Sequence, residues 1–431
     1  MSKEENRKNF SKYVSQNILG MIGFSCYVLA DSYFISIAKG ADGLTALNLV
    51  MPLYSIIFSI GEMIGVGSAI RYAISKIKKD ADADDYFWNA LIWCILSSML
   101  FVFAGIFFSA DIMRVLGADE HIVAVGNNYT KIFMCFAPMF MCNYVTNAFV
   151  RNDGAPGIAM SATLFSSLFN IVFDYILMFP MNLGMEGAAL ATALSPIIGM
   201  GICSIHFFSK KSSVRLVVCK PSVRKLVAGS QLGVSAFVGE MSSAVITLAF
   251  NFVILKLTGN VGVAAYGVVA NIAIVTTAVF NGVAQGSQPL ISSCFGRGDK
   301  DGCTQLKRMG YTTAFVLAAV MYSILFIFAE QFVAVFNSEG SEMLRLYATE
   351  GVKLYFIGIF FAGINIVGGG AFSATEDAFK AAVVSVARGF VLILGAVFVM
   401  SALFGMTGVW LAYAVAEGIT TFIMLVMVLR V

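Results

Sequence analysis

Stretches of about 20 or more apolar residues recur along the whole chain, interrupted only by short polar segments. This is the pattern of helices that cross a bilayer rather than of amphipathic helices around a water-soluble core. Read in order, the runs predict about twelve spans, over 14–38, 44–70, 87–110, 124–149, 157–180, 187–208, 232–257, 262–291, 310–332, 346–372, 379–403 and 407–429. The connections are too short to hold a sizeable extramembrane domain. Composition agrees, with 59% hydrophobic and 12% charged residues and a mean hydropathy of +0.84. A soluble fold cannot hide that much apolar surface.

Charge then orients the spans. Lys3, Arg7, Lys8 and Lys12 precede the first span, and Arg71, Lys76, Lys78 and Lys79 follow the second. Lys210, Lys211, Arg215, Lys220, Arg224 and Lys225 follow the sixth, and Arg297, Lys300, Lys307 and Arg308 follow the eighth. The intervening connections, around Gly40, Gly117, Gly184, Gly259 and Gly405, hold few basic residues. Lys and Arg are retained on the cytoplasmic side, so both termini are expected there. The polar start MSKEENRKNFSKY lacks the apolar core of a cleavable signal, so the first span is expected to stay in the mature protein.

The chain also repeats itself. A shift of 219 lays Gly40 on Gly259, Gly43 on Gly262, Ala46 on Ala265, Val50 on Val269, Gly67 on Gly286 and Ser68 on Ser287. A shift of 221 lays LGMEGAALATA (183–193) on FGMTGVWLAYA (404–414). Matches at both ends of each half at a nearly constant shift indicate a duplication. With six spans per half, both halves run in the same direction and are related by a pseudo-twofold axis along the membrane normal. The expected fold is therefore an all-α polytopic membrane protein of two six-helix bundles, residues 1–209 and 231–431, joined by a cytoplasmic linker at 210–230. A cleft between such lobes can open to either side by rocking.

An ionised side chain at mid-bilayer costs at least ~3 kcal/mol, so each needs a partner, a proton or a purpose. Asp31 lies about nine residues before the first outer connection and Asp174 about nine before the one centred on Leu183, with Thr192 about nine after it. At 1.5 Å per residue all three reach a depth of about 13 Å, with Asn170 one turn deeper on the face of Asp174. Two carboxylates, an amide oxygen and a hydroxyl make a hard-oxygen set suited to a proton or a small monovalent cation such as Na+. The other reading of each acid is a cap or local hydrogen bond within its bundle.

Three segments, LADSYFISIAKG in the first span, FNIVFDYILMF in the fifth and MEGAALATALS in the sixth, resemble in order and spacing the multidrug and toxic compound extrusion (MATE) family. The resemblance covers essentially the whole chain. It implies two six-helix lobes and a secondary active antiporter that exports organic, often cationic, compounds in exchange for Na+ or H+. It puts the cation site of the first lobe on Asp31, Asn170, Asp174 and Thr192, and it puts Glu240, in GVSAFVGEMSSA, where many members carry a membrane glutamate used in coupling or substrate binding. The tenth-span aspartate of some members is Ala362 here, and a proline often found before the first-span aspartate is Gln16. The likeness is to the bacterial drug-efflux branches, which implies a multi-pass protein of the bacterial cytoplasmic (inner) membrane.

Further cavity candidates are Tyr33, Tyr144, Asn147 and Gln285, with Glu62 a functional or water-exposed acid. Glu240 either faces the cleft or pairs with Arg388, and Glu417 is an alternative partner for that arginine. Cys26, Cys94, Cys135, Cys142, Cys203, Cys219, Cys294 and Cys303 form no CxxC and read as packing residues or reduced thiols. His121 and His206 lack partners at metal-ligand spacing. No GxxxxGK[ST] is present to bind ATP, so energy is expected from an ion gradient, with no cofactor. The expected partners are small organic substrates and the lipid bilayer, with no nucleic acid, and the functional unit is expected to be a monomer.

Two other functions make different chemical demands. A flippase for a lipid-linked precursor or polysaccharide would line its cleft with several cations, whereas the buried basic candidates are Lys131, Lys353 and Arg388. An intramembrane transferase would need a reactive His, Ser or acidic pair at the membrane surface. The charge pattern yields a direct test of orientation: tags at residue 2 and after Val431 are expected to resist protease added outside intact cells. Cleavage of either would reverse the assignment.

Overall fold

A helix that is apolar on most of its circumference has no polar face to turn to water, so the predicted segments form long helices that bury one face on each other and leave the other to lipid. The computed structural model describes residues 3–337 and 341–429. The chain ends, 1–2 and 430–431, to which the expected cytoplasmic termini belong, lie outside the described residues. Among the described residues nine helices are long and apolar enough to cross a membrane. Glu120–Cys135 and Ala137–Asn152, bent by 46° about Phe136, supply a tenth span.

Two of the nine, Val223–Gly296 with 74 residues and Ala378–Val428 with 51, are about twice the length one crossing needs. Each breaks at a glycine, Gly259 and Gly405, and counting the pieces separately gives twelve spans. In order these are Lys3–Gly40, Asp42–Lys78, Asp85–Val115, the bent pair, Pro156–Met178, Gly184–Phe207, 223–258, 260–296, Lys300–Ile327, Glu342–Ala374, 378–404 and 406–429. The first helix runs eleven residues further out than its apolar run, because polar residues outside the bilayer continue a helix already nucleated within it.

The breaks carry the repeat into the backbone. Gly40 (φ 58°, ψ −141°) and Gly259 (φ 67°, ψ −156°) reverse the chain between the first two spans of each half in a conformation closed to side chains. Gly184 (φ 52°) and Gly405 (φ 58°) open the last span of each half in the same left-handed way. Left-handed residues recur in the other connections too, as Lys79 with Gly298 and Gly154 with Glu376. Elsewhere side-chain caps start the helices: Asp119 accepts from the Ile122 N–H at 2.8 Å and Asp299 from the Gly302 N–H at 2.8 Å.

The basic stretch after the sixth span is tied to the first half. Buried Asp153, at the end of the fourth span, accepts from the Ser213 N–H at 2.9 Å, Ser212 Oγ at 3.2 Å and Tyr72 Oη at 3.2 Å, and contacts His206 Nε2 at 2.7 Å. The Ser213 hydroxyl also donates to it. Further along, Ser222 N–H donates to Asn89 Oδ1 at 2.6 Å and Lys225 pairs with Asp85.

The halves meet on the side of these basic connections. The second and seventh spans cross backbone to backbone there, since a Cβ on Gly67 would collide with Gly229 and one on Gly233 with the Met63 backbone. The first and eighth cross the same way, and a Cβ on Gly282 would fall 2.5 Å from Ile18 Cα, one on Gly286 2.7 Å from Val14 Cα. Arg71 pairs with Glu376, Lys78 with the same carboxylate at 3.6 Å, and Asn6 donates to Gln305 at 3.2 Å. On the opposite side the pairs His121–Asp42, Asn128–Glu186 and Thr407–Glu350 each stay within one half. The cleft is therefore shut on the basic side. Gly233→Val is expected to cost about 1–3 kcal/mol of that closed arrangement by overpacking. Spin labels at positions 77 and 296 should then report a longer distance; an unaltered distribution would reject the glycine crossing as the seal.

Candidate ion and substrate sites

The four residues chosen for equal depth do converge. Asp31 is 7% exposed, Asn170 and Asp174 0% and Thr192 2%. Gly187 makes this approach possible, since a Cβ there would fall 2.8 Å from the Leu177 carbonyl carbon, so the sixth span lies tight on the fifth. The Asn170 amide is oriented by its neighbours. Its nitrogen donates to Asp174 Oδ2 at 3.1 Å, and its oxygen accepts from Thr192 Oγ1 at 3.1 Å and the Thr192 N–H at 3.3 Å. Asp31 Oδ1 and Asp174 Oδ1 are both buried without a donor. Two carboxylates within electrostatic reach of each other, each with an unsatisfied oxygen, offer oxygen donors of the kind a proton or a small cation needs. Away from the basic side the Phe34 ring lies 6.2 Å from both Tyr175 and Phe179. Among the described residues no group of three His, Cys, Asp or Glu side chains converges as a transition-metal site.

Beside the cluster lies the cleft. A cavity of about 980 Å³, partly open, is walled by Phe24, Tyr27, Phe58, Phe140 and Tyr144. Glu240, Tyr144, Asn147 and Gln285 line it, and Asn147 Nδ2 donates to Thr163 Oγ1 at 3.1 Å. Two adjoining cavities of about 600 and 940 Å³ lie toward the second half, and Glu240 lines all three. Tyr33 does not join them. It is 62% exposed and lines none of the three, because two helical steps from buried Asp31 turn it to the far side of the first span. Tyr27, one turn before Asp31 on the same face, takes the place intended for it and stands between the ion cluster and the cavity.

One buried residue escaped the sequence reading. Arg151, 4% exposed, donates to Gln285 Oε1 at 2.7 Å, and Gln285 Nε2 in turn donates to Glu62 Oε1 at 3.2 Å. Arg151 stands just past the fourth apolar run, where a basic residue reads as a loop charge. The fourth helix continues one turn further, to Asn152, and carries it inside.

A model of the MatE family matches residues 17–176 and 236–399, well over half of the chain. The chain belongs to the MatE family. The multidrug export protein MepA of Staphylococcus aureus is 27% identical over 414 residues, covering 93% of this chain and 89% of that protein. MepA of Staphylococcus saprophyticus is 26% identical over 409 residues, with the same two coverages. Among solved structures, the outward-facing conformation of a multidrug resistance MATE family transporter of the MOP superfamily superposes with a TM-score of 0.92 at 20% identity, over 99% of this chain and 96% of that one. A MOP superfamily transporter from Pyrococcus furiosus, described as having a binding pocket of reversed polarity, gives 0.90 at 20% identity over 98% and 95%. MatE proteins are transporters rather than enzymes, and this one is multi-pass.

In this MatE chain the second lobe treats its charges differently. Arg388 pairs with Glu417 rather than Glu240, with Nη2–Oε1 at 2.7 Å and Nε–Oε1 at 3.1 Å. Asn365 Nδ2 donates to Glu417 Oε2 at 2.7 Å, and Thr421 Oγ1 donates to Asn365 Oδ1 at 3.0 Å. A π-helical turn at Ala387–Val391 rotates Arg388 inward, a local change of register that apolar periodicity does not reveal. Glu240 forms no hydrogen bond or ion pair among the described residues. Of the three basic residues expected to be buried, Lys131 is exposed and Lys353 half-buried, lying 5.5 Å over the Phe326 ring, so the cleft presents no cluster of free cations. Breaking a buried pair strands a charge at a cost of about 3–5 kcal/mol. Glu417→Gln is thus expected to lower the thermal unfolding temperature markedly and Glu240→Gln to leave it close to wild type. The reverse order would return Arg388 to Glu240.

Proposed function

We propose that the chain is a secondary multidrug efflux antiporter of the bacterial cytoplasmic membrane, exporting organic and often cationic compounds in exchange for Na+ or H+ by alternating access. The observation that carries this reading is the donor-free pair Asp31 Oδ1 and Asp174 Oδ1, buried one helical turn from a cavity walled by aromatic rings. The coupling ion, a transported species rather than a resident cofactor, is taken up by Asp31, Asn170, Asp174 and Thr192. Glu240, Tyr144, Asn147 and Gln285 face the drug. The lobes are residues 1–209 and 231–431, joined by 210–230, and the unit is a monomer that needs no ATP.

With the basic side in the cytoplasm, the closed seal at Gly67, Gly229 and Gly233 leaves the cavity open outward, the state that releases drug and captures the ion. An ion entering the cluster neutralises its charge and lets the first, fifth and sixth spans repack, which favours one access state over the other. Coupling is lopsided. Asp31 has Phe250 as its counterpart in the repeat, and of the second-lobe acids Glu417 is already held by Arg388 while Glu240 faces the drug. A coupling of about 1–3 kcal/mol between ion and drug drives exchange.

In proteoliposomes with separately imposed sodium and pH gradients, Asp31→Asn and Asp174→Asn should abolish gradient-driven efflux while the purified variants still bind drug. Wild-type pumping by either variant would remove the first-lobe cluster from the mechanism.

A further inference from the structure

Glu62 stands opposite Glu240 across the cleft, one acid from the second span and one from the seventh, and both line two of the three cavities. Glu62 is 8% exposed, and its described hydrogen bond is the one from Gln285 to Oε1. Glu240 makes none. The two are close enough to feel each other's charge, and the Tyr144 hydroxyl feels both. The opposite charge here is Arg151. It reaches Glu62 only through the Gln285 amide, and its Nε is buried without a partner. Arg388 is cancelled in direct contact by Glu417.

Counting ionised groups, Glu62 and Glu240 against Arg151 leave the cavity one negative charge. Two acids from opposite lobes, flanked by Tyr27, Tyr144, Phe24 and Phe58, can hold one charged head while the rings take its apolar body. Rings alone would bind neutral compounds equally well.

We propose that Glu62 and Glu240 form one cation-recognising pair that spans the two lobes, with Arg151 setting it for substrates of a single positive charge. This rests on the reading of the cleft as a drug cavity. A monocation between the acids displaces Gln285 from Glu62, so the head group replaces a hydrogen bond that links the lobes when the cavity is empty. Drug therefore enters at the contact that joins the second and eighth spans near the seal. The charge is read by both lobes at once.

The test uses the full-length protein in nanodiscs, with tetraphenylphosphonium as monocation, decamethonium as dication and triphenylphosphine oxide as neutral probe. Glu62→Gln is expected to weaken tetraphenylphosphonium binding at least about tenfold and to leave the phosphine oxide unchanged, while Glu62→Asp stays close to wild type. Arg151→Met, which leaves two negative charges, should improve decamethonium relative to tetraphenylphosphonium by about tenfold. Equal loss of cation and neutral probe in Glu62→Gln would overturn the proposal, as would wild-type tetraphenylphosphonium affinity in that variant. If Glu240→Gln alone weakens the cation, the drug cavity stands and the pair falls. If neither variant does, both fall.

Discussion

A charge far from water has to be answered. In a helical bundle with little water inside, every ionisable side chain carries a desolvation cost of several kcal/mol, and the structure deals with each in one of three ways. It is matched outright, as Arg388 is by Glu417. It is matched through an intermediary, as Arg151 is to Glu62 by the Gln285 amide. Or it is left unmatched, as at Asp31, Asp174 and Glu240. The first group holds the second lobe together, the second sits where the lobes touch, and the third borders the cavities. The work a transporter does follows from keeping these three apart.

The helices make such a division affordable because their backbones approach closely. Gly67, Gly229 and Gly233 let the second and seventh spans touch without side chains between them, and Gly282 and Gly286 do the same for the first and eighth. Contacts of this kind are made all at once or not at all, since removing one lobe by a few ångströms loses them together. The connection strapped by Asp153 is held against the first lobe.

Much of this was legible in the sequence. The twelve spans follow from apolar runs, and the repeated glycines at 40 and 259, and at 184 and 405, proved to be the residues whose backbone a side chain would forbid. Depth counting brought Asp31, Asn170, Asp174 and Thr192 together because each lies a similar number of helical steps from a chain reversal. Counting fails where azimuth matters. Tyr33 has the right depth and the wrong face, and the partner of Arg388 was left open because a π-helical turn shifts the register of the eleventh span. Arg151 was overlooked because its helix outlasts its apolar run, and an apolar run is all that hydropathy can see.

The shift of 221 places Arg388 opposite Ser167 and Glu417 opposite Pro196, both of which line the cavity of the first half, so the second-lobe ion pair takes the place of open cavity there. An arginine on a helix is a cation that cannot diffuse away. The second bundle therefore carries, where the first has open cavity, a cation supplied by its own chain and paired with Glu417. The first lobe keeps two buried carboxylate oxygens without a donor, while the second holds Arg388 against Glu417 and leaves Glu240 in the cleft. The two halves of one repeat thus differ at this place by a guanidinium supplied by the chain itself.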